Sequence, residues 1–100
     1  MSPQNETVLE KSFNFSLDMI NLYKVLLNEK EYVISKQLLK SATSIGANIN
    51  EAGAAFSKPD FVYKMSIASK EAREARYWLM LLDKSQIVVF NYHNYLDKVD

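Results

Sequence analysis

Residues 57–84 read SKPDFVYKMSIASKEAREARYWLMLLDK, from Ser57 to Lys84, and this stretch decides the fold. Phe61, Met65, Ala68, Ala72, Ala75, Leu79 and Leu82 recur in alternating four- and three-residue steps, so one side of an α-helix collects them all. The alanines in the middle of that heptad seam suit tight, nearly parallel helix packing. The start is punctuated. Ser57 can cap the helix, Pro59 falls in the first turn where no N–H is needed, and Asp60 supplies a carboxylate at the third position. A helix is therefore predicted over about Lys58 to Lys84.

Upstream, a second helix is predicted over about Tyr32 to Ala54. Ile34, Leu38, Ser41, Ile45, Asn48 and Ala52 repeat in the same rhythm, flanked by Ala42 and Ile49. Small residues crowd its face (Ser41, Ala42, Ser44, Gly46, Ala47), which lets a neighbouring helix come close. Gly46 costs about 1 kcal/mol against Ala in a helix interior, and close packing can offset it. A first helix is predicted over about Thr7 to Glu29 with two apolar stripes side by side. One holds Phe13, Leu17, Ile20 and Leu27, the other Phe15, Met19, Leu22 and Leu26, together the wide apolar face of a bundle helix. Asn28, Glu29, Lys30 and Glu31 read as a polar connection.

Downstream of Ser85, Ile87-Val88-Val89-Phe90 has strand-like composition but nothing to pair with, and reads as a loop packing inward. Asn91 is placed to cap a fourth helix carrying Tyr92, Leu96 and Val99, running to Asp100. It is about two turns long against six or more for its partners, so part of the seam is expected to lie uncovered, with a continuing chain favoured over a second subunit as its cover. The expected architecture is all-α: a single domain over residues 1–100, folded as an antiparallel up-down four-helix bundle with a short fourth helix.

Composition agrees. The chain has 100 residues, of which 48% are hydrophobic, so one core is expected and disorder is not. Two glycines and two prolines are too few for sheets joined by tight turns. Twelve basic residues balance twelve acidic ones, leaving no global field to attract nucleic acid or membrane. With no cysteine, disulfides, thiolate catalysis and Cys-based zinc sites are excluded. The N-terminus has neither a basic nor an apolar signal region, and the longest apolar run, Tyr77 to Leu82, is too short for a bilayer. A cytoplasmic protein without membrane attachment is expected.

The search for reactive chemistry returns little. Di-iron bundles need Glu-x-x-His motifs; the single histidine, His93, has no glutamate three residues before it, so no metal is expected. No phosphate loop, nucleophile elbow or catalytic triad can be assembled. No enzyme activity, cofactor or small-molecule substrate is expected. Asn48, Glu51, Glu71 and Glu74 fall on otherwise apolar lines and read as buried polar groups, satisfied by Arg73, Arg76, helix backbone or a neighbouring subunit. Lys70, Arg73 and Arg76 could contact phosphates, although acids are interleaved with them.

Tyr77-Trp78-Leu79-Met80-Leu81-Leu82 covers every side of a helix, while one core contacts only one side. Leu79 and Leu82 satisfy the internal seam. Tyr77, Trp78, Met80 and Leu81 are therefore expected to form an oligomer interface.

Three stretches carry a family resemblance. Gln37-Leu38-Leu39-Lys40-Ser41-Ala42-Thr43-Ser44-Ile45-Gly46-Ala47-Asn48-Ile49-Asn50-Glu51-Ala52 holds the pattern Ser-x-x-Ser-Ile-x-x-Asn-Ile-x-Glu; Ser57-Lys58-Pro59-Asp60-Phe61 and Ile67 to Leu79, with its Glu-Ala-x-Glu, follow. Together they resemble the four-helix-bundle proteins encoded in 23S rRNA intervening sequences. The resemblance implies an up-down four-helix bundle assembling into a ring-like homo-oligomer, often a pentamer, with no established enzymatic activity and a fourth helix extending past Asp100. It also implies kinship with the accessory variability determinant of diversity-generating retroelements, a basic bundle that binds nucleic acid. The zero formal charge departs from that relative. Two functions follow as expectations: a self-assembling scaffold, or an RNA-binding accessory protein whose basic surface forms on assembly.

Overall fold

The structure is a computed structural model that describes residues 6–99; Met1 to Asn5 and Asp100, the last residue of the expected fourth helix, lie outside the described residues. Four helices follow one another: α1 (Val8–Asn28), α2 (Ile34–Ala52), α3 (Lys58–Ser85) and α4 (His93–Val99). No strand occurs among the described residues, and the bundle is all-α with a short fourth helix, as expected.

Local chemistry sets each boundary. Thr7 caps α1, its Oγ1 accepting from Glu10 N at 3.1 Å. Ser57 caps α3 by accepting from Asp60 N at 3.2 Å, with Pro59 inside the first turn. The α1–α2 reversal is more elaborate than a polar connection. Lys30 adopts the left-handed region, φ 63°. Its N–H reaches Leu27 O at 2.9 Å while Glu31 N–H reaches Leu26 O at 2.9 Å, the paired bonds that close a Schellman turn.

Glu31 then turns its carboxylate onto the next helix. It accepts from the N–H groups of Val33, Ile34 and Ser35, and its carbonyl accepts from Ser35 Oγ at 2.7 Å. This carboxylate is buried, only 8% exposed. It moves the helix start from the expected Tyr32 to Ile34, because the three donors that open the first turn are bound to it. At the other end α2 stops at Ala52 rather than Ala54, and α4 starts at His93 because Asn91 Oδ1 accepts from His93 N at 3.1 Å.

The helices take the corners of a square. α2 packs against α1 and α3, α4 packs against α3 and α1, and the α1–α3 diagonal has no close approach. The core gathers Phe15, Met19, Leu22 and Leu26 from α1, Leu38 and Ala42 from α2, Ala75, Leu79 and Leu82 from α3, and Val88 and Tyr92 from the final loop. That loop packs inward at alternate residues only: Val88 is buried while Ile87 and Val89 are exposed. The left-handed Gln86, φ 47°, ties it by donating from Nε2 to Asp83 O at 2.8 Å.

Two expectations about the core change. In α1 only the Phe15 stripe enters it. Phe13, Leu17 and Ile20 are exposed, because close neighbours at two corners cannot enclose two full stripes. In α3 the seam is buried from Ala68 to Leu82, apart from a half-buried Ala72, but Phe61 is 46% exposed. Val99 at the end of α4 meets Ala72, Phe15 and Val8 around a small hollow, whereas Phe61, about three turns earlier along the seam, is outside the buried cluster.

Tyr92 is fully buried and donates from its hydroxyl to Val88 O at 2.8 Å. Burial pushes its pKa above the usual tyrosine value, and the Asp83 and Glu31 carboxylates push it the same way. Its neutral form therefore stabilises the fold fully below the unfolded pKa of about 10, and that stability is lost as pH rises through the folded value.

Two outcomes test this account. Glu31→Ala should cost about 1–3 kcal/mol in urea unfolding, by leaving buried donors without an acceptor. Tyr92→Phe should be less stable than the parent by about 0.5–1.5 kcal/mol near pH 8, where its hydrogen bond is lost. The gap should narrow above about pH 10, and urea midpoints across that range read it directly.

Candidate assembly surface

The side of α3 opposite its buried seam carries Tyr63, Ser66, Lys70, Arg73, Tyr77 and Lys84 at helical spacing, and all are exposed. Tyr77 is 57% exposed and its ring meets Trp78 edge-on, centroids 5.2 Å apart. The expected interface set is thus split. Tyr77 stands on the outer face, whereas Trp78, Met80 and Leu81 are half-buried, Trp78 against the core. The Nε1 of Trp78 is buried without a hydrogen-bond partner among the described residues.

Charge is sorted on this helix in a way its composition conceals. Every exposed charged residue of α3 is a cation: Lys58, Lys70, Arg73, Arg76 and Lys84. Its acids, Asp60, Glu71, Glu74 and Asp83, are all half-buried on the flanks. The acids that alternate with Lys70, Arg73 and Arg76 in sequence therefore do not alternate with them on the surface.

The polar residues expected to be buried divide similarly. Asn48 is half-buried and donates from Nδ2 to Ser44 O at 2.8 Å, satisfied by helix backbone as expected. Glu71 is half-buried beside Lys70, 3.6 Å away, and Glu74 is half-buried too. Glu51 is exposed, a correction to its burial. It lies in the last turn of α2, where it meets Lys64 of α3 at 3.6 Å instead of entering the seam. The cations beside Glu51 and Glu71 are Lys64 and Lys70. His93 is exposed, and no cluster of three metal-ligating side chains occurs among the described residues.

Sequence reasoning missed a second surface. Leu9, Phe13, Leu17 and Ile20 form an exposed apolar stripe on α1, 46%, 63%, 46% and 38% exposed. Beside its first half runs a groove of about 710 Å³ between α1 and α2, floored by Thr43, Gly46 and Ala47. Gly46 makes the approach of the two helices close: a Cβ there would lie 3.3 Å from Ser16 Oγ and 3.4 Å from Ser12 O. The cue was present in Ser12, Phe15, Met19, Leu22 and Leu26, whose alternating three- and four-residue steps already make one complete seam.

A family model described as 23S rRNA-intervening sequence protein matches residues 4–99. The chain belongs to this family. A crystal structure from Bacteroides thetaiotaomicron, of a protein with unknown function from the S23 ribosomal protein family, is 46% identical, with the match covering 93% of this chain and 88% of that one at a TM-score of 0.85. No curated protein matches. Membership in the 23S rRNA-intervening sequence protein family fits the observed bundle, and among the described residues no helix is long and apolar enough to cross a membrane.

Proposed function

We propose that this 23S rRNA-intervening sequence protein is a non-catalytic, self-assembling scaffold, acting in the cytoplasm alongside the rRNA insertions for which its family is named. The observation that carries the reading is Tyr77, a large aromatic held out in solvent on the face of α3 directly opposite its core. Half-buried Trp78, Met80 and Leu81 extend the apolar surface around the same helix end. Exposed aromatic surface of this kind marks protein contact, and aromatic anchors carry much of the energy of interfaces. A homo-oligomer is the assembly proposed, with the pentamer as the form that family resemblance implies. A scaffold role is also consistent with the groove, whose lining brings in Glu10 as its one titratable side chain, whereas acid–base catalysis commonly rests on paired groups.

A second reading is favoured by the sorting of charge on α3. Lys70, Arg73 and Arg76 with Tyr63 and Tyr77 offer phosphate contacts and stacking faces to RNA. Here each copy carries a basic strip before assembly, and assembly multiplies it.

Light scattering at micromolar concentration should give an oligomer, and Tyr77→Ala with Trp78→Ala should weaken association at least about tenfold. An unchanged mass for that double variant would remove the scaffold reading. For the RNA reading, retention of structured RNA in gel shifts should fall steeply with salt, and Lys70→Ala with Arg73→Ala should flatten the dependence. No retention even at low salt rejects it.

A further inference from the structure

We infer that the groove between α1 and α2 of one copy receives the outer stripe of α3 from another copy. The inference rests on the self-assembly reading and names the surface that Tyr77 enters.

The groove asks for an apolar visitor. The hydroxyls in it are committed: Ser12 donates to Leu9 O at 2.9 Å, Ser16 to Ser12 O at 3.0 Å and Thr43 to Leu39 O at 2.8 Å. What remains open is the wall formed by Leu9 and Phe13 over the small floor at Gly46 and Ala47, with the amides of Asn14 and Asn50 beside it. An aromatic ring suits that space, since the small, exposed Ala47 leaves room above the helix backbone and Phe13 offers a ring edge.

Charge selects the visitor. Glu10 lines the groove, and Glu6 accepts from Nδ2 of the lining residue Asn14 at 2.6 Å. No cation lines it. The α3 stripe is the complement: Lys70 and Arg73 precede Tyr77 as exposed cations, and the neighbouring acids Glu71 and Glu74 are half-buried on its flank. An RNA strand in the groove would meet the Glu10 carboxylate, a phenyl wall and no cation, so the groove favours this stripe over a polyanion.

Length and topology agree. Leu9 to Ser16 spans about 10 Å of helix at 1.5 Å per residue, and Lys70 to Tyr77 spans the same. Because α1 and α3 occupy diagonal corners of the bundle, a chain cannot bring its own α3 stripe into its own groove. Another copy can. The two surfaces are unlike, so the contact is heterologous and leaves a free groove and a free stripe after each addition until a ring closes.

The decisive experiment mixes two variants, each with one surface blocked. Ala47→Trp fills the groove from an exposed position. Phe13→Glu serves the same end by a different change, should the first disturb folding by circular dichroism. Arg73→Glu with Tyr77→Ala removes the stripe. By sedimentation each variant alone should behave as a monomer, with association weakened at least tenfold. An equimolar mixture should form a one-to-one dimer, because one intact groove and one intact stripe remain. Groove variants that assemble like the parent overturn the inference, as does a mixture that stays monomeric; in both cases self-assembly still stands. A parent chain that is itself monomeric removes self-assembly as well. If the stripe variant loses RNA retention while keeping the parent's mass, the stripe serves RNA and the pairing is wrong.

Discussion

The bundle depends on how closely α2 can be approached. It packs along both α1 and α3, whose backbones make no close approach across the diagonal. The approach is made possible by small side chains: Ser41 and Ala42 are buried, and at Gly46 even a methyl group would press on Ser16 and the Ser12 carbonyl. Serine is tolerated there because its hydroxyl can return to its own helix, as Ser41 does to Gln37 O at 2.9 Å. The cost of glycine in a helix is thus set against dispersion contacts that a larger residue would hold apart.

The turns do comparable work at the end of the bundle where α1 meets α2 and α3 meets α4. Lys30 and Gln86 both hold left-handed backbone, which disfavours non-glycine residues by about 1–2 kcal/mol. Each is answered by bonds around it: the Schellman pair and the Glu31 carboxylate in one case, the Gln86 side chain in the other. Phe90 N donates to Gln86 Oε1 at 3.3 Å, so that amide binds the loop from both sides. Tyr92 lies between the two reversals, feeling both Asp83 and Glu31.

Much of this was legible in the sequence. The heptad from Phe61 to Leu82 gave the longest helix, Ser57-Lys58-Pro59-Asp60 gave its start, and the small residues of α2 gave the close approach. On α1 the seam from Ser12 to Leu26 kept the regular three- and four-residue steps, but the apolar Phe13, Leu17 and Ile20 beside it masked which stripe turned inward. Glu31 was equally hidden. A charged residue in a linker reads as solvated, and its burial depends on three amides that gather only once both helices stand side by side. The candidate surface was half legible. Six apolar residues in a row showed that α3 must expose some of them, and Tyr77 is the one most exposed. The segregation of lysine and arginine from glutamate on α3 was not visible, since neighbours in sequence sit about 100° apart on a helix.

That segregation has an electrical consequence. A molecule whose formal charges sum to zero drifts little in a uniform field. The outer face of α3 nonetheless shows Lys70, Arg73 and Lys84 as its exposed charges, a local positive strip on a neutral molecule. A negatively charged partner is drawn to that strip, so orientation is chosen during diffusion, ahead of contact.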